Sequence, residues 1–313
     1  MKKIILVNLF ILFLIFLFFE IFLWNKYFKQ EEEDSVIIPK YSYRDDFRIV
    51  FDRTVFGTQY KNKSPILLLG CSYTYGHGLS EEDTFGAQLS QKTKRTVYNW
   101  GFLGDGPFQN ILRLIEPYNQ KLLVNGKPEY IIYTYMFDQT LRMSYLQDSL
   151  PYFLRTMYYA RKENLIPRQK FIPFFDRFYT VQFIRDKLWN DYLFNHQKFD
   201  DINNFFDYLK FIFITMKKET DKLFPNSKFI ILLYEDSMDD IYDLHRNFYE
   251  KLYSSERWKE LEEYGIYVIS TKDLVGFILS DKYMLKNDFT DHPHPSKEAW
   301  KVIVPKLIKR IGL

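Results

Sequence analysis

Five short apolar runs, separated by helical stretches, constrain the fold of this chain more than any other feature. The first run, ILLLG after Ser64-Pro65, is continuously apolar, as strands buried inside a parallel sheet are. Strands that alternate with helices predict a parallel sheet covered on both faces. We therefore expect an α/β three-layer sandwich with a five-stranded parallel sheet. The predicted strands are residues 66–70, Thr96-Val97-Tyr98, Tyr130 to Met136, Phe229 to Tyr234 and Ile266 to Ile269.

A glycine-rich segment follows the first strand and reads Gly70-Cys71-Ser72-Tyr73-Thr74-Tyr75-Gly76-His77-Gly78. In a parallel sheet the ligand crevice lies beyond the carboxyl ends of the strands, so a tight turn here places Ser72 at that crevice. A serine so placed can present its hydroxyl as a nucleophile and its own N–H to a developing oxyanion. The segment lacks the G-K-[ST] ending of a phosphate-binding loop. The structural alternative is a buried turn serine that caps the next helix.

A second polar cluster, Asp291-His292-Pro293-His294-Pro295-Ser296, precedes the last predicted helix. Asp291 stands three residues before His294, so its carboxylate can hold one ring nitrogen while the other faces a nucleophile. His292 and His294 also have the spacing of a metal-binding pair, but no second cluster of ligands supports a metal site. We predict neither a metal nor an organic cofactor. The remaining histidines, which stand alone in the sequence, are His77, His196 and His245; the last two are interpreted as surface residues.

Charge and cysteine content exclude several classes of function. The 43 lysines and arginines nearly balance the 40 acidic residues, and no basic stripe is present, so we expect no nucleic-acid partner. The single cysteine, Cys71, excludes an internal disulfide framework and a zinc site built on several thiolates. The oligomeric state is not indicated by the sequence.

An apolar run from Ile4 to Trp24 predicts a membrane anchor. At about 1.5 Å per residue a helix of this length spans roughly 31 Å, enough for the hydrocarbon core of a bilayer. No small-residue cleavage site follows it, so we expect the anchor to be retained. Lys2 and Lys3 favour a cytoplasmic N-terminus and place the globular domain outside the cytoplasm, although Lys26 and Lys29 oppose them.

The rest of the chain is expected to form one domain with an insertion. Between about residues 150 and 226 the strand pattern lapses into aromatic-rich helical segments. These segments predict a helical cap that buries its own aromatic residues, or a lid over an extended substrate. The predicted organisation is a tail at 1–3, an anchor at 4–24, a juxtamembrane linker at 25–45, and a domain at 46–313 with its helical insert at about 150–226.

Taken together, three segments resemble the sequence blocks of the SGNH (GDSL-type) hydrolases. The segment from Gly70 to Gly78 is similar to the first block in its G-C-S-[FY]-T-[FY]-G-x-G variant. Asn99-Trp100-Gly101 resembles the second block, whose glycine supplies an oxyanion N–H. The cluster from Asp291 to Pro295 is similar to the D-x-x-H-P block. The blocks occur in the family's order, and the resemblance leaves the central insert unmatched.

The resemblance implies a serine esterase on an SGNH/flavodoxin-like fold. In that family's mechanism Ser72 is the nucleophile, His294 the base and Asp291 the residue that orients it, while the N–H groups of Ser72 and Gly101 bind the oxyanion. Anchored relatives often act on acylated cell-envelope glycans, so an O-acylated polysaccharide is the expected substrate. An O-acyltransferase that uses the same triad and a catalytically degenerate carbohydrate-binding module are the alternatives.

The third block departs from the family pattern. Its usual asparagine is absent from the end of the third predicted strand, which continues as Met136-Phe137-Asp138-Gln139 and reaches Arg142. The Gln139 amide is the candidate replacement as an oxyanion donor. An ionised Asp138 would repel the developing charge unless Arg142 neutralises it, and both are candidate substrate-binding residues.

Overall fold

A computed structural model describes residues 55–136, 139, 202–235, 246–285 and 294–313, together with Phe18. The chain divides into two compact units. One unit comprises Met1–Asp46 and Ser144–Lys198, of which the structure describes Phe18, an exposed residue in helical conformation. The other unit comprises Phe47–Met143 and Phe199–Leu313 and contains every element below.

A six-stranded mixed sheet forms the centre of the second unit, in the order β1-β3-β2-β4-β5-β6. The five predicted strands pair in parallel, as expected. The prediction of a purely parallel five-stranded sheet is wrong, because β1 adds to the edge and pairs antiparallel with β3. That strand has two residues, too few for an alternating or apolar pattern to reveal it. The strands are β1 Val55–Phe56, β2 Ile66–Leu69, β3 Val97–Asn99, β4 Tyr130–Tyr135, β5 Lys228–Leu233 and β6 Ile266–Ser270.

Eight α-helices are described, with three 3-10 segments between them. The helices are α1 Ser72–Tyr75, α2 Phe85–Thr93, α3 Pro107–Ile115, α4 Pro117–Lys121, α5 Ile202–Leu223, α6 Arg246–Tyr253, α7 Thr271–Val275 and α8 Lys297–Ile311. The 3-10 segments are Glu81–Asp83, Glu256–Tyr264 and Asp281–Tyr283. Ser296 caps α8, as its position predicts, because its hydroxyl accepts the Ala299 N–H at 3.4 Å.

Helices cover both faces of the sheet, which gives the expected three layers. Successive strand residues point to opposite faces, so Ile132 packs in a core with Trp300 of α8, whereas the Tyr133 ring meets Phe213 of α5 at 5.9 Å. On the first face α2 and α8 pack together, and the Phe85 and Trp300 rings stack 4.5 Å apart. The central strands are thus buried on both sides, which explains their continuously apolar sequences.

Helix α5 falls within the predicted insert at 150–226, and it covers the sheet. Phe213 lies against Tyr135 of β4 at 5.5 Å, and Phe206 lies against Trp258 at 5.0 Å. Two aromatic residues of this stretch, Phe206 and Phe213, are therefore buried against the 3-10 segment Glu256–Tyr264 and β4. The remainder of the insert, up to residue 201, lies outside the described residues.

Within the part of the chain that the structure describes, no helix is both long and apolar enough to cross a membrane. The tail at 1–3, the linker at 25–45 and the anchor at 4–24, apart from Phe18, lie outside the described residues.

Candidate active site

The turn after β2 is shaped by glycines and places Ser72 at the start of α1. A Cβ on Gly70 would lie 2.1 Å from the Thr74 hydroxyl oxygen, and its φ of +149° also disfavours any other residue. The Gly70 N–H donates to Asn110 Oδ1 at 2.7 Å. Helix α1 then ends at Gly76, which takes the left-handed conformation with φ +83°. The predicted tight turn is thus present at the carboxyl end of a central strand.

Ser72 does not cap the helix that it begins. Cys71 occupies the N-cap position of α1, and no side chain caps the helix. The Ser72 side chain is 4% exposed, and its hydroxyl makes no hydrogen bond with any residue that the structure describes. The capping role that the sequence left open is therefore not observed. A hydroxyl without a structural partner remains available for chemistry.

The loop after β3 packs directly against the Ser72 turn. The Phe102 N–H donates to the Gly70 carbonyl at 3.2 Å. A Cβ on Gly101 would lie 2.6 Å from Thr74 Cβ and 3.0 Å from the Cys71 carbonyl oxygen. Only glycine permits so close an approach. The predicted neighbours Ser72 and Gly101 are therefore brought together.

The N–H of Gly101 is engaged by its own loop. It donates to Asn99 Oδ1 at 3.1 Å, and Asn99 Nδ2 in turn donates to the Thr74 carbonyl at 2.9 Å. Asn99 thus ties Gly101 to α1. The N–H must leave Asn99, or share it, before it can bind an oxyanion. Gly104, in the same loop, has an N–H that makes no hydrogen bond with the described residues.

A buried ion pair fastens this loop to helix α3. Arg113 Nε and Nη2 donate to the two carboxylate oxygens of Asp105 at 2.6 and 3.2 Å, and both side chains are fully buried. The guanidinium carbon lies 4.5 Å from the centroid of the Phe102 ring. Asn110, which holds Gly70, belongs to the same helix. Helix α3 therefore fixes both turns through its polar side chains Asn110 and Arg113.

Gln139 uses its side chain to close the end of β4. Its Nε2 donates to the Thr134 carbonyl at 2.9 Å, and its Oε1 accepts the Tyr133 hydroxyl at 2.5 Å. The residue is fully buried. The Thr134 carbonyl oxygen would lie 3.1 Å from a Cβ on Gly70, so these strand ends are adjacent. Asp138 and Arg142 lie outside the described residues.

His294 packs against the Ser72 turn. Its ring centroid lies 5.3 Å from that of Tyr73 and 4.9 Å from that of His77. The chain around it forms a short antiparallel pairing, in which the Leu285 N–H donates to the His294 carbonyl at 2.8 Å. No hydrogen bond joins the Ser72 hydroxyl to His294 among the described residues. Catalytic hydrogen bonds are often long without substrate.

Of the other histidines and acidic residues considered in the sequence analysis, the structure describes His77 but not Asp291 or His292. Asp291 and His292 lie outside the described residues, so the orienting role of Asp291 stays a prediction. His77, interpreted from the sequence as an isolated histidine, is a neighbour of His294. Within the described ranges, no group of three histidine, cysteine or acidic residues could hold a metal ion.

Glu235 is a buried carboxylate at the end of β5 that the sequence analysis did not single out. It is 5% exposed, and it accepts hydrogen bonds from the Ser270 hydroxyl and, at its backbone oxygen, from the Leu279 N–H at 3.4 Å. Burial raises the pKa of the Glu235 carboxyl above its usual range, and the Ser270 hydrogen bond and Lys272 oppose that rise in part.

No protein-family profile and no curated protein matches this sequence. Among solved structures, the chain is similar to a lipolytic protein of the G-D-S-L family from Desulfitobacterium hafniense, at 14% identity over 79% of this chain and 99% of that one, with a TM-score of 0.43. A psychrotrophic esterase from Pseudoalteromonas gives 13% identity over 80% and 97%, with a TM-score of 0.42.

A family two carbohydrate esterase from Clostridium thermocellum, solved with cellohexaose, gives 11% identity over 80% of this chain and 65% of that one, with a TM-score of 0.40. These three solved structures are described as a lipolytic protein and two esterases.

Proposed function

We propose that this protein is a serine esterase with Ser72 as its nucleophile and His294 as its general base. One observation carries the proposal: the ring of His294 packs against residues of the very turn that presents Ser72 at the carboxyl end of β2. A nucleophile next to a base, at the strand ends where α/β sheets bind ligands, is the arrangement that acyl transfer requires.

The reaction proceeds through an acyl-enzyme. His294 takes the proton of the Ser72 hydroxyl while the oxygen attacks the ester carbonyl, and Asp291 orients the imidazolium. The proton then passes to the departing alcohol. Water, deprotonated by the same histidine, hydrolyses the acyl-enzyme and regenerates Ser72. No metal or organic cofactor enters any of these steps.

Backbone N–H groups stabilise the oxyanion in this proposal. Ser72 supplies its own N–H, and Gly101 supplies a second one once Asn99 releases it. Gly104 is the alternative donor from the same loop. Gln139 can contribute only the second hydrogen of its amide, because the first is used on the Thr134 carbonyl. Asp138 and Arg142 are proposed to contact the substrate beside it.

An O-acylated polysaccharide of the cell envelope is the proposed substrate. Its support is the apolar run from Ile4 to Trp24, which would anchor the protein in the membrane with the globular domain outside the cytoplasm. Protease added to spheroplasts should then digest the globular domain while the N-terminal run stays with the membranes. Protection of the domain would place it in the cytoplasm and remove this support.

Two alternatives have an observation in their favour. The burial of Ser72 and His294, at 4% and 5% exposure, limits the access of water and favours transfer of the acyl group to a sugar hydroxyl. The engagement of Gln139 and of the Gly101 N–H within the protein favours a non-catalytic binding module. Release of acetate without a sugar acceptor would exclude the module and leave hydrolysis as the basal activity.

Turnover of a small acetyl ester tests the proposal. Ser72→Ala and His294→Ala should each abolish hydrolysis while the circular dichroism spectrum stays that of the wild type. His292→Ala is the matched control and should retain activity, because the D-x-x-H pattern assigns the base to His294. Equal losses in both histidine variants, with rescue by zinc, would replace the triad with a metal site.

A further inference from the structure

We propose that His77 is a positioning residue that holds the ring of His294 against Tyr73. This inference rests on the proposed function, in which His294 is the general base. It assigns a role to a histidine that the triad does not use.

The backbone of His77 is tied directly to Ser72. The N–H groups of Gly76 and His77 donate to the Ser72 carbonyl at 2.9 and 3.1 Å. Gly76 makes this possible, because its left-handed conformation turns the chain back at the end of α1. The position of the His77 side chain is therefore set by the same short helix that positions the nucleophile.

The ring of His294 has an aromatic neighbour from each end of that helix turn. The Tyr73 ring lies 5.3 Å away with an interplanar angle of 60°, and the His77 ring lies 4.9 Å away at 59°. Both separations fall within the range of favourable aromatic pairs, about 4.5–7 Å. Packing against residues of α1 and its cap thus contributes to the orientation of the imidazole relative to Ser72.

The two neighbours differ in how firmly they are held. Tyr73 is buried and meets Tyr234 edge to face at 5.2 Å, and Tyr234 in turn packs against Trp300 in the core. His77 is partly exposed at the edge of the site. Removal of the His77 ring therefore takes away one of these two aromatic contacts of His294, while the buried contact with Tyr73 stays in place. We expect the imidazole of His294 to be less well oriented and the chemical step to be slower, with little change in the fold.

Kinetics with a small acetyl ester separate this role from a structural one. His77→Ala should lower kcat by about 10- to 100-fold, since a misplacement of about 1 Å can cost 10²-fold. The KM should stay nearly constant. His77→Phe restores a ring of similar shape without an ionisable group, so it should recover most of the lost kcat. Glu82→Ala, an exposed change in the following 3-10 segment, is the control and should behave like the wild type.

Covalent labelling of Ser72 by a fluorophosphonate distinguishes failure of this inference from failure of the proposed function. Labelling of the wild type with an equal rate in His77→Ala would overturn the positioning role alone. A His77→Phe variant as slow as His77→Ala would also overturn it, since the ring contact would then not be what matters. Absence of labelling in the wild type would refute the proposed function and the positioning role with it. Thermal unfolding of each variant confirms that the labelled protein is folded.

Discussion

The carboxyl ends of β2 and β4 lie side by side, but only at β4 does the candidate functional residue itself make the hydrogen bonds that hold the strand end. At β2 the turn is held by its neighbours: Asn110 binds the Gly70 N–H, and Gly101 packs against Thr74. The Ser72 hydroxyl takes no part in this network within the described residues. At β4 the candidate itself holds the strand end, because the Gln139 amide bonds both Tyr133 and Thr134.

The two strand ends show that a polar residue is available for reaction when other residues make the hydrogen bonds and packing contacts that hold its turn. A hydroxyl free of structural hydrogen bonds can be deprotonated and can move toward a carbonyl. An amide with both its oxygen and one hydrogen engaged is available only in part. We therefore assign the chemistry to the end of β2 and a supporting role to the end of β4.

The largest expected loss of folding stability comes from breaking the Asp105–Arg113 ion pair, which holds the loop beside the β2 turn. Arg113→Met removes the guanidinium that binds the buried Asp105 carboxylate, and loss of one member of a buried ion pair costs about 3–5 kcal/mol of folding stability. Urea unfolding measures the difference in the free energy of unfolding between this variant and the wild type. The double variant Asp105→Leu with Arg113→Met removes both charges and should cost less than Arg113→Met alone. A loss below about 1 kcal/mol in Arg113→Met would show that the pair does not hold the loop.

Gly101→Ala should disturb the same side by steric contact. The added Cβ would lie 2.6 Å from Thr74 Cβ, so the loop and α1 must move apart. We expect about 1–3 kcal/mol of destabilisation, as for other overpacked sites, and up to about 10²-fold slower ester hydrolysis from the shift of Ser72. Leu103→Ala, an exposed change in the same loop, is the control. Unchanged hydrolysis in Gly101→Ala would show that the packing of this loop against α1 does not affect catalysis at Ser72.

On the β4 side, Gln139→Ala should reduce stability more clearly than activity. It removes the two buried hydrogen bonds that the Gln139 amide makes with the Thr134 carbonyl and the Tyr133 hydroxyl, which costs about 1–3 kcal/mol. Since one amide hydrogen remains for an oxyanion, kcat should fall by about tenfold or less, below the 10²–10³ of a dedicated donor. A fall of that full size with unchanged stability would reverse the comparison and make Gln139 a principal oxyanion donor.

The smallest effect on folding stability is expected from Glu235, at the end of β5. Burial raises the pKa of Glu235, so the folded state binds its proton more tightly than the unfolded chain does. The stability from this group is fully present below the unfolded pKa, about 4.3, and is lost as the pH rises through the folded value. Glu235→Gln should therefore gain stability relative to the wild type between pH 4 and neutrality, in urea unfolding at each pH. A Glu235→Gln variant that loses stability relative to the wild type as the pH rises would contradict this assignment.

The sequence predicts the parts of this site that depend on local pattern. The five parallel strands, the turn at Ser72 and the cap at Ser296 follow from apolar runs, glycines and residue preferences. The edge strand Val55–Phe56 has too few residues to carry a pattern. The partner of Asn110 and the approach of His77 to His294 depend on contacts between segments that lie far apart in the sequence. Such contacts leave no local signal in a single sequence.

Labelling with a fluorophosphonate, followed by peptide mass spectrometry, tests whether Ser72 is the nucleophile and His294 its base. We expect a single modified residue, Ser72, in the wild type. We also expect loss of labelling in His294→Ala and retention in His292→Ala, with all three proteins folded. Labelling of Ser72 at the wild-type rate in His294→Ala, labelling at another residue, or no labelling of the folded wild type would contradict the assignment of Ser72 and His294 as nucleophile and base.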